Sequence, residues 1–168
     1  MNYFELFNIP VSLQPNQQEL KQKFYELSRK YHPDFYTQET DFEQAEALEK
    51  SSLVNKAYKT FLNTDETIKY VLQQKGLLLE EEKFQLPPYF LMEVMELNEE
   101  LTEAKMKGDE ALLSRTKSLI AELQQQIYEP VETLIKTYND KTVEPKDLQS
   151  LKEYYFKKKY LDRILATM

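Results

Sequence analysis

An all-α fold follows from three features of the 168-residue sequence. Glycine occurs only twice, too seldom to supply the turns of an all-β domain of this size. Long stretches rich in Glu, Lys, Leu and Gln favour helix. Within them, apolar residues recur at helical spacing.

Taken in chain order, the pattern predicts a short helix near 3–7 and longer ones near 17–31, 41–62, 65–75, 88–107, 109–139 and 144–166. In the stretch 17–31, Leu20, Phe24, Leu27 and Tyr31 fall within roughly 60° of arc at 100° per residue. Lys21, Lys23, Arg29 and Lys30 lie outside that arc, with Glu19 and Glu26 among them, so the water-facing side is mixed but basic. The helix stops at His32-Pro33-Asp34, because proline cannot extend the ladder and biases the residue before it away from the α region. A helix over 41–62 then returns, giving a helical hairpin with a charged tripeptide at its tip.

Gly76 follows Gln73-Gln74-Lys75 as a C-cap would, and Pro87-Pro88 punctuates the chain soon afterwards. The reading is therefore one domain over 1–76, a linker over 77–87 and a second domain over 88–168. Gly108-Asp109 separates the next two helices, with Asp109 as N-cap. An apolar stripe of Leu112, Leu113, Leu119, Ile120, Leu123, Ile127, Val131, Leu134 and Tyr138 runs along 109–139, where Pro130 should kink the helix. Asn139-Asp140 ends it, and Pro145 fits the first turn of the last helix.

Composition removes whole classes of chemistry. With no cysteine and a single histidine, His32, the chain has no thiol nucleophile, no thiolate metal site and no His set for zinc or haem. Neither a Rossmann fingerprint nor a P-loop spacing occurs. No window approaches a membrane span, and Met1-Asn2-Tyr3 does not begin a signal peptide, so a cytoplasmic protein is expected, without membrane contact. The expectation is of no catalytic residue, no metal and no cofactor.

The net charge of −7 is unevenly spread. Residues 76–110 hold 10 acids against 3 bases, whereas 1–75 and 111–168 are close to balanced. That excess disfavours nucleic acid as a partner and suits a basic protein surface. Half of those acids lie on the 88–107 helix, which carries two apolar stripes. Phe90, Val94, Leu97 and Leu101 share roughly 60° of arc, a core face, while Leu91, Met92 and Met95 lie with Glu96, Glu99 and Glu103 in a separate arc of about 140°. Residue by residue, each feature has an ordinary reading: a helix stop at the tripeptide, a solvated face for the bases, core or solvent for the second stripe. Flexible methionines beside carboxylates also suit a binding surface.

Tyr31-His32-Pro33-Asp34 after a basic helix, followed by Asn55-Lys56-Ala57-Tyr58 and Leu62, resembles the J domain of DnaJ-type co-chaperones. The opening Tyr3-Phe4-Glu5-Leu6-Phe7 resembles the start of that domain in the HscB branch. Phe90-Leu91-Met92-Glu93 and Glu96-Leu97-Asn98-Glu99-Glu100-Leu101 resemble the start of the C-terminal three-helix domain of HscB, the J-type co-chaperone of iron–sulfur cluster assembly.

The resemblance implies an N-terminal J domain followed by a three-helix bundle, L-shaped overall. It implies that His32, Pro33 and Asp34 contact a DnaK-type (HscA-like) ATPase chaperone and accelerate its ATP hydrolysis. Asp34 would anchor a basic residue of that partner, His32 and Pro33 would shape the loop, and Lys21, Arg29 and Lys30 would meet an acidic chaperone surface. Glu26 stands where many J domains carry a base, which weakens the patch and points to a dedicated partner. Leu91, Met92, Met95, Glu96, Glu99 and Glu103 would grip an iron–sulfur scaffold protein (IscU-like), with Tyr160 standing where the family usually has Phe. Three other readings stay open: a J-domain co-chaperone for a different client, a helical interaction module without chaperone activity, and a carboxylate-based hydrolase, against which stands that Glu96, Glu99 and Glu103 share a face but lack a convergent pocket or base partner.

Overall fold

Asn2 starts the first helix by a reciprocal cap: its side chain accepts from the Glu5 N–H at 2.8 Å, and the Glu5 carboxylate accepts from the Asn2 N–H at 3.2 Å. This helix, α1 (Tyr3–Phe7), supplies Phe4 and Phe7 to a core centred on Phe61, with ring centroids 4.9 and 5.4 Å away. Tyr3 stacks on Tyr70 at 4.3 Å and accepts nothing from it; instead its own N–H donates to the Tyr70 hydroxyl at 3.0 Å. Burial of that hydroxyl pushes its pKa up, with part of the shift offset by the Tyr3 hydrogen bond. Asn16 and Thr40 cap α2 (Gln17–Lys30) and α3 (Asp41–Phe61), and Asn63 accepts from the Glu66 N–H at the start of α4 (Thr64–Gln74). α2 packs against α3. Leu20 is fully buried between them and Phe24 stacks on Tyr58 at 4.1 Å. A fully buried side chain such as Leu20 stabilises the fold by roughly 1.5–3 kcal/mol.

These coordinates of the chain come from a computed structural model that describes residues 1–166. Among the described residues there are eight α-helices, two short 3-10 turns and no strand. The chain falls into two compact units: Met1–Gln74 with Ile135–Thr142, and Lys75–Leu134 with the chain from Val143 onward. No helix among the described residues is long and apolar enough to cross a membrane.

The second unit is built from α5 (Pro88–Lys107), α6 (Glu110–Tyr128) and α8 (Pro145–Ala166), each packed on the other two. Phe90, Val94, Leu97 and Leu101 of α5 are buried, as their shared arc predicts. Gly108 ends α5 at φ 62°, a left-handed position suited to glycine, and the Asp109 side chain accepts from the Leu112 N–H at 3.1 Å to start α6.

Two stretches differ from the sequence reading. Residues 77–87 carry no helical pattern and read as linker, yet Lys75 onward clusters with the second unit. Leu78 is buried, Phe84 stacks on Phe156 at 4.7 Å, and Glu82 pairs with Lys152 at 2.8 Å. That pair holds the Glu82 carboxyl below its ordinary value, through the hydrogen bond from Lys152.

The stripe along 109–139 also breaks. Pro130 has no N–H to donate, and α6 gives way to a 3-10 turn at Glu129–Val131 before α7 (Glu132–Thr137). The tighter turn advances the helical phase. Ile135 is buried, whereas Leu134 and Tyr138 are only half-buried. Ile135–Thr142 then clusters with the first unit.

Candidate interaction surfaces

Proline at 33 forces the chain out of α2, and the loop that results is tied to itself. Pro33–Tyr36 forms a 3-10 turn capped by His32, whose ring Nδ1 accepts from the Asp34 N–H at 3.2 Å. With Nδ1 accepting, the neutral ring carries its proton on Nε2. The Asp34 carboxylate also sits 3.6 Å from Nδ1, close enough to pair when the ring is charged. The Phe35 N–H donates to the His32 carbonyl at 3.1 Å, and the Tyr36 hydroxyl donates to the Lys30 carbonyl at 2.9 Å, closing the turn back onto the end of α2. None of these ties buries the carboxylate: the Asp34 side chain is 85% exposed.

The bases expected beside this loop divide into two sets. Lys21 and Arg29 are exposed and lie two turns apart on one face of α2. Lys30 projects about 100° further round the helix from Arg29, and its Nζ sits 5.3 Å over the Tyr31 ring. Lys50 approaches the same ring at 5.9 Å. Lys30 is exposed as well as lying over Tyr31, while Lys21 and Arg29 carry charge on the neighbouring face. Tyr25 lies between those two on the same face and is exposed; its place, four residues from each, is the signal that would have found it. Phe35 is likewise exposed, edge-on to His32 at 6.2 Å. Beside the loop, Tyr31, Tyr36, Glu39, Glu43, Glu46 and Lys50 rim a recess of about 380 Å³. There Glu39 shares a hydrogen bond with Glu43, which raises its pKa.

The outward face of α5 is built differently. Met92 and Met95 are 61% and 56% exposed, and Glu96, Glu99 and Glu103 are exposed with them. Leu91 is half-buried, at the edge between the surface and the core stripe. Tyr160 of α8 packs on Phe90 with ring centroids 6.3 Å apart, which brings its ring to the N-terminal end of α5, next in sequence to Leu91. The Arg163 guanidinium lies 5.2 Å from the centroid of the Tyr160 ring. Lys157 sits 5.5 Å from the Phe90 ring and pairs with Glu153 at 3.3 Å. Glu103 is engaged at the far end: Lys107 donates to its carboxylate at 2.6 Å, and that carboxylate raises the lysine pKa.

The arrangement exposes two surfaces of opposite character, a polar turn on the first unit and an apolar face edged with carboxylates on the second. Among the described residues, no group of three or more His, Cys, Asp or Glu is placed to hold a metal ion.

Comparison with known proteins matches both units. A DnaJ domain profile matches residues 2–70, and a profile described as the HSCB C-terminal oligomerisation domain matches residues 86–168. A co-chaperone protein HscB homolog from Colwellia psychrerythraea is 34% identical over 142 residues, covering 83% of this chain and 81% of the relative. The crystal structure of human co-chaperone protein HscB superposes with a TM-score of 0.78 at 28% identity, covering 99% of this chain and 80% of that one. Chaperone HscB from Vibrio cholerae gives a TM-score of 0.66 at 25% identity, with 99% of each chain covered.

Proposed function

The chain belongs to the HscB family of J-domain co-chaperones, and we propose that it carries an iron–sulfur cluster scaffold protein to a specialised DnaK-type chaperone and stimulates that chaperone's ATP hydrolysis. One observation carries this reading: the same chain exposes both the His32-Pro33-Asp34 turn and the Leu91–Glu103 face.

The turn suits a regulatory contact. Its backbone is held by three local hydrogen bonds, so little ordering remains when a partner docks. Asp34 meets a basic group of the ATPase, and Lys21 and Arg29 meet its acidic surface. The α5 face suits a grip. Met92, Met95 and Leu91 supply apolar contact, Tyr160 closes one end, Glu96 and Glu99 attract bases around the scaffold's apolar patch, and Glu103, paired with Lys107, lies at the far end of the face. Residues 1–76 serve the chaperone and 88–168 serve the scaffold. Holding both partners on one chain raises the effective concentration of scaffold at the ATPase. The hydrolysis and the cluster belong to the partners. The cysteine-free composition suits the reducing cytosol.

Calorimetric titration with a purified IscU-like scaffold, beside single-turnover ATP hydrolysis by an HscA-like chaperone, tests the reading. Saturable scaffold binding, with hydrolysis stimulated by this chain and further by scaffold, is the expected result. Stimulation that ignores scaffold would assign the J domain to a different client. No stimulation would leave a helical interaction module.

A further inference from the structure

The outward face of α5 extends past the last residue assigned to it. Met92, Met95, Glu96, Glu99, Glu103 and Met106 fall within roughly 100° of helical arc, so Met106 stands on the same face. It is 83% exposed, more than either of the other two methionines there. The helix is unbroken through Lys107, which puts Met106 about 16 Å beyond Met95 and about 21 Å beyond Met92 at 1.5 Å per residue.

The surroundings of Met106 are those of an apolar contact. Asn98, Glu99, Thr102, Glu103, Met106 and Lys107 rim a shallow recess. The Thr102 hydroxyl is spent on the Asn98 carbonyl at 2.8 Å, four residues back along its own helix. Glu103 and Lys107 pair at 2.6 Å, so the two charges at this end offset each other. The face is thus apolar at Leu91–Met95, acidic at Glu96 and Glu99, and apolar with neutralised charge at Met106.

We propose that the scaffold protein makes a second apolar contact at Met106, seating an apolar side chain in the recess over the Glu103–Lys107 pair. This rests on the reading of α5 as the scaffold-binding helix. Size supports it: a specific interface buries about 800 Å² on each partner, a patch about 30 Å across, whereas Leu91 to Glu103 spans about 18 Å. A globular partner centred on the Leu91–Glu103 face therefore covers Met106 too. Charge agrees, since a partner basic enough to face Glu96 and Glu99 meets no lone positive charge at Lys107.

The test uses the full chain labelled with ¹³C at the methionine methyl groups, titrated with purified IscU-like scaffold without cluster, and calorimetry on Met106→Ser and Met106→Leu. The Met106 methyl signal should shift or broaden together with those of Met92 and Met95. Met106→Ser should weaken binding by roughly three- to tenfold, and Met106→Leu should hold it within about twofold. A still Met106 signal, with affinity unchanged in Met106→Ser while Leu91→Ala with Met92→Ala loses binding, would overturn the second contact and leave the scaffold reading standing. Absence of any binding by the unaltered chain would overturn both.

Discussion

The turn at His32–Tyr36 and the outward face of α5 present their side chains by different means. The turn depends on its own hydrogen bonds: His32 to the Asp34 N–H, Phe35 to the His32 carbonyl, Tyr36 to the Lys30 carbonyl. The α5 face depends on helix geometry alone, with its core stripe buried beneath and its methionines loose above. Loss of the Asp34 carboxylate should therefore act nearly all-or-none, while changes on the face should act in steps. The two surfaces also meet their partners differently, one through a placed carboxylate, the other through apolar area.

The largest contrast lies between neighbours on α5. Phe90 is 1% exposed, so Phe90→Ala should cost about 3–5 kcal/mol of stability in urea unfolding. Met92→Ala, on the opposite side of the helix, should stay within about 0.5 kcal/mol. Equal losses would erase the distinction between core stripe and binding face.

Next in size is Asp34→Asn. Stimulated ATP hydrolysis should fall at least tenfold, about 1.4 kcal/mol, with scaffold affinity and helicity unchanged. Retained stimulation would remove the carboxylate from the chaperone contact. Leu91→Ala with Met92→Ala should reverse that pattern: scaffold binding weakens by about tenfold or more while scaffold-independent stimulation persists. Smallest is Tyr36→Phe, which deletes only the tie to the Lys30 carbonyl. A hydrogen bond of about 0.5–1.5 kcal/mol is at stake, so stimulation should drop by a few-fold. An unchanged rate would mean the turn holds its shape without that tie.

Much of this architecture is legible in the sequence because punctuation and period agree. Pro33 stops α2, Gly108-Asp109 divides α5 from α6, Pro145 opens α8, and the Phe90–Leu101 stripe faces inward. What escaped was set by contacts without a period. Phe84 and Glu82 find Phe156 and Lys152 across a gap of some seventy residues, which no local pattern announces. Thr116 is buried on the α6 stripe despite its hydroxyl, because that hydroxyl donates to the Leu112 carbonyl. Past Pro130 the phase changes, so a stripe drawn at a constant 100° picks Leu134 where Ile135 is buried.

At the candidate surfaces, composition drew attention to charges and missed their neighbours. Lys30 reads as a solvated base, and while exposed it also places its Nζ 5.3 Å over Tyr31, a contact that a charge count does not announce. Tyr25 and Met106, both exposed on the relevant helical faces, went unremarked because apolar side chains read as core by default.

The central claim is that chaperone and scaffold are engaged by one chain at once. It is tested most directly by mixing the Asp34→Asn chain with the Leu91→Ala, Met92→Ala chain in a single-turnover ATP hydrolysis assay containing scaffold. Each variant keeps the surface the other has lost. The account predicts that the mixture fails to recover the scaffold-dependent stimulation given by the unaltered chain. Recovery to that level would show that the two surfaces act without being joined, and would contradict it.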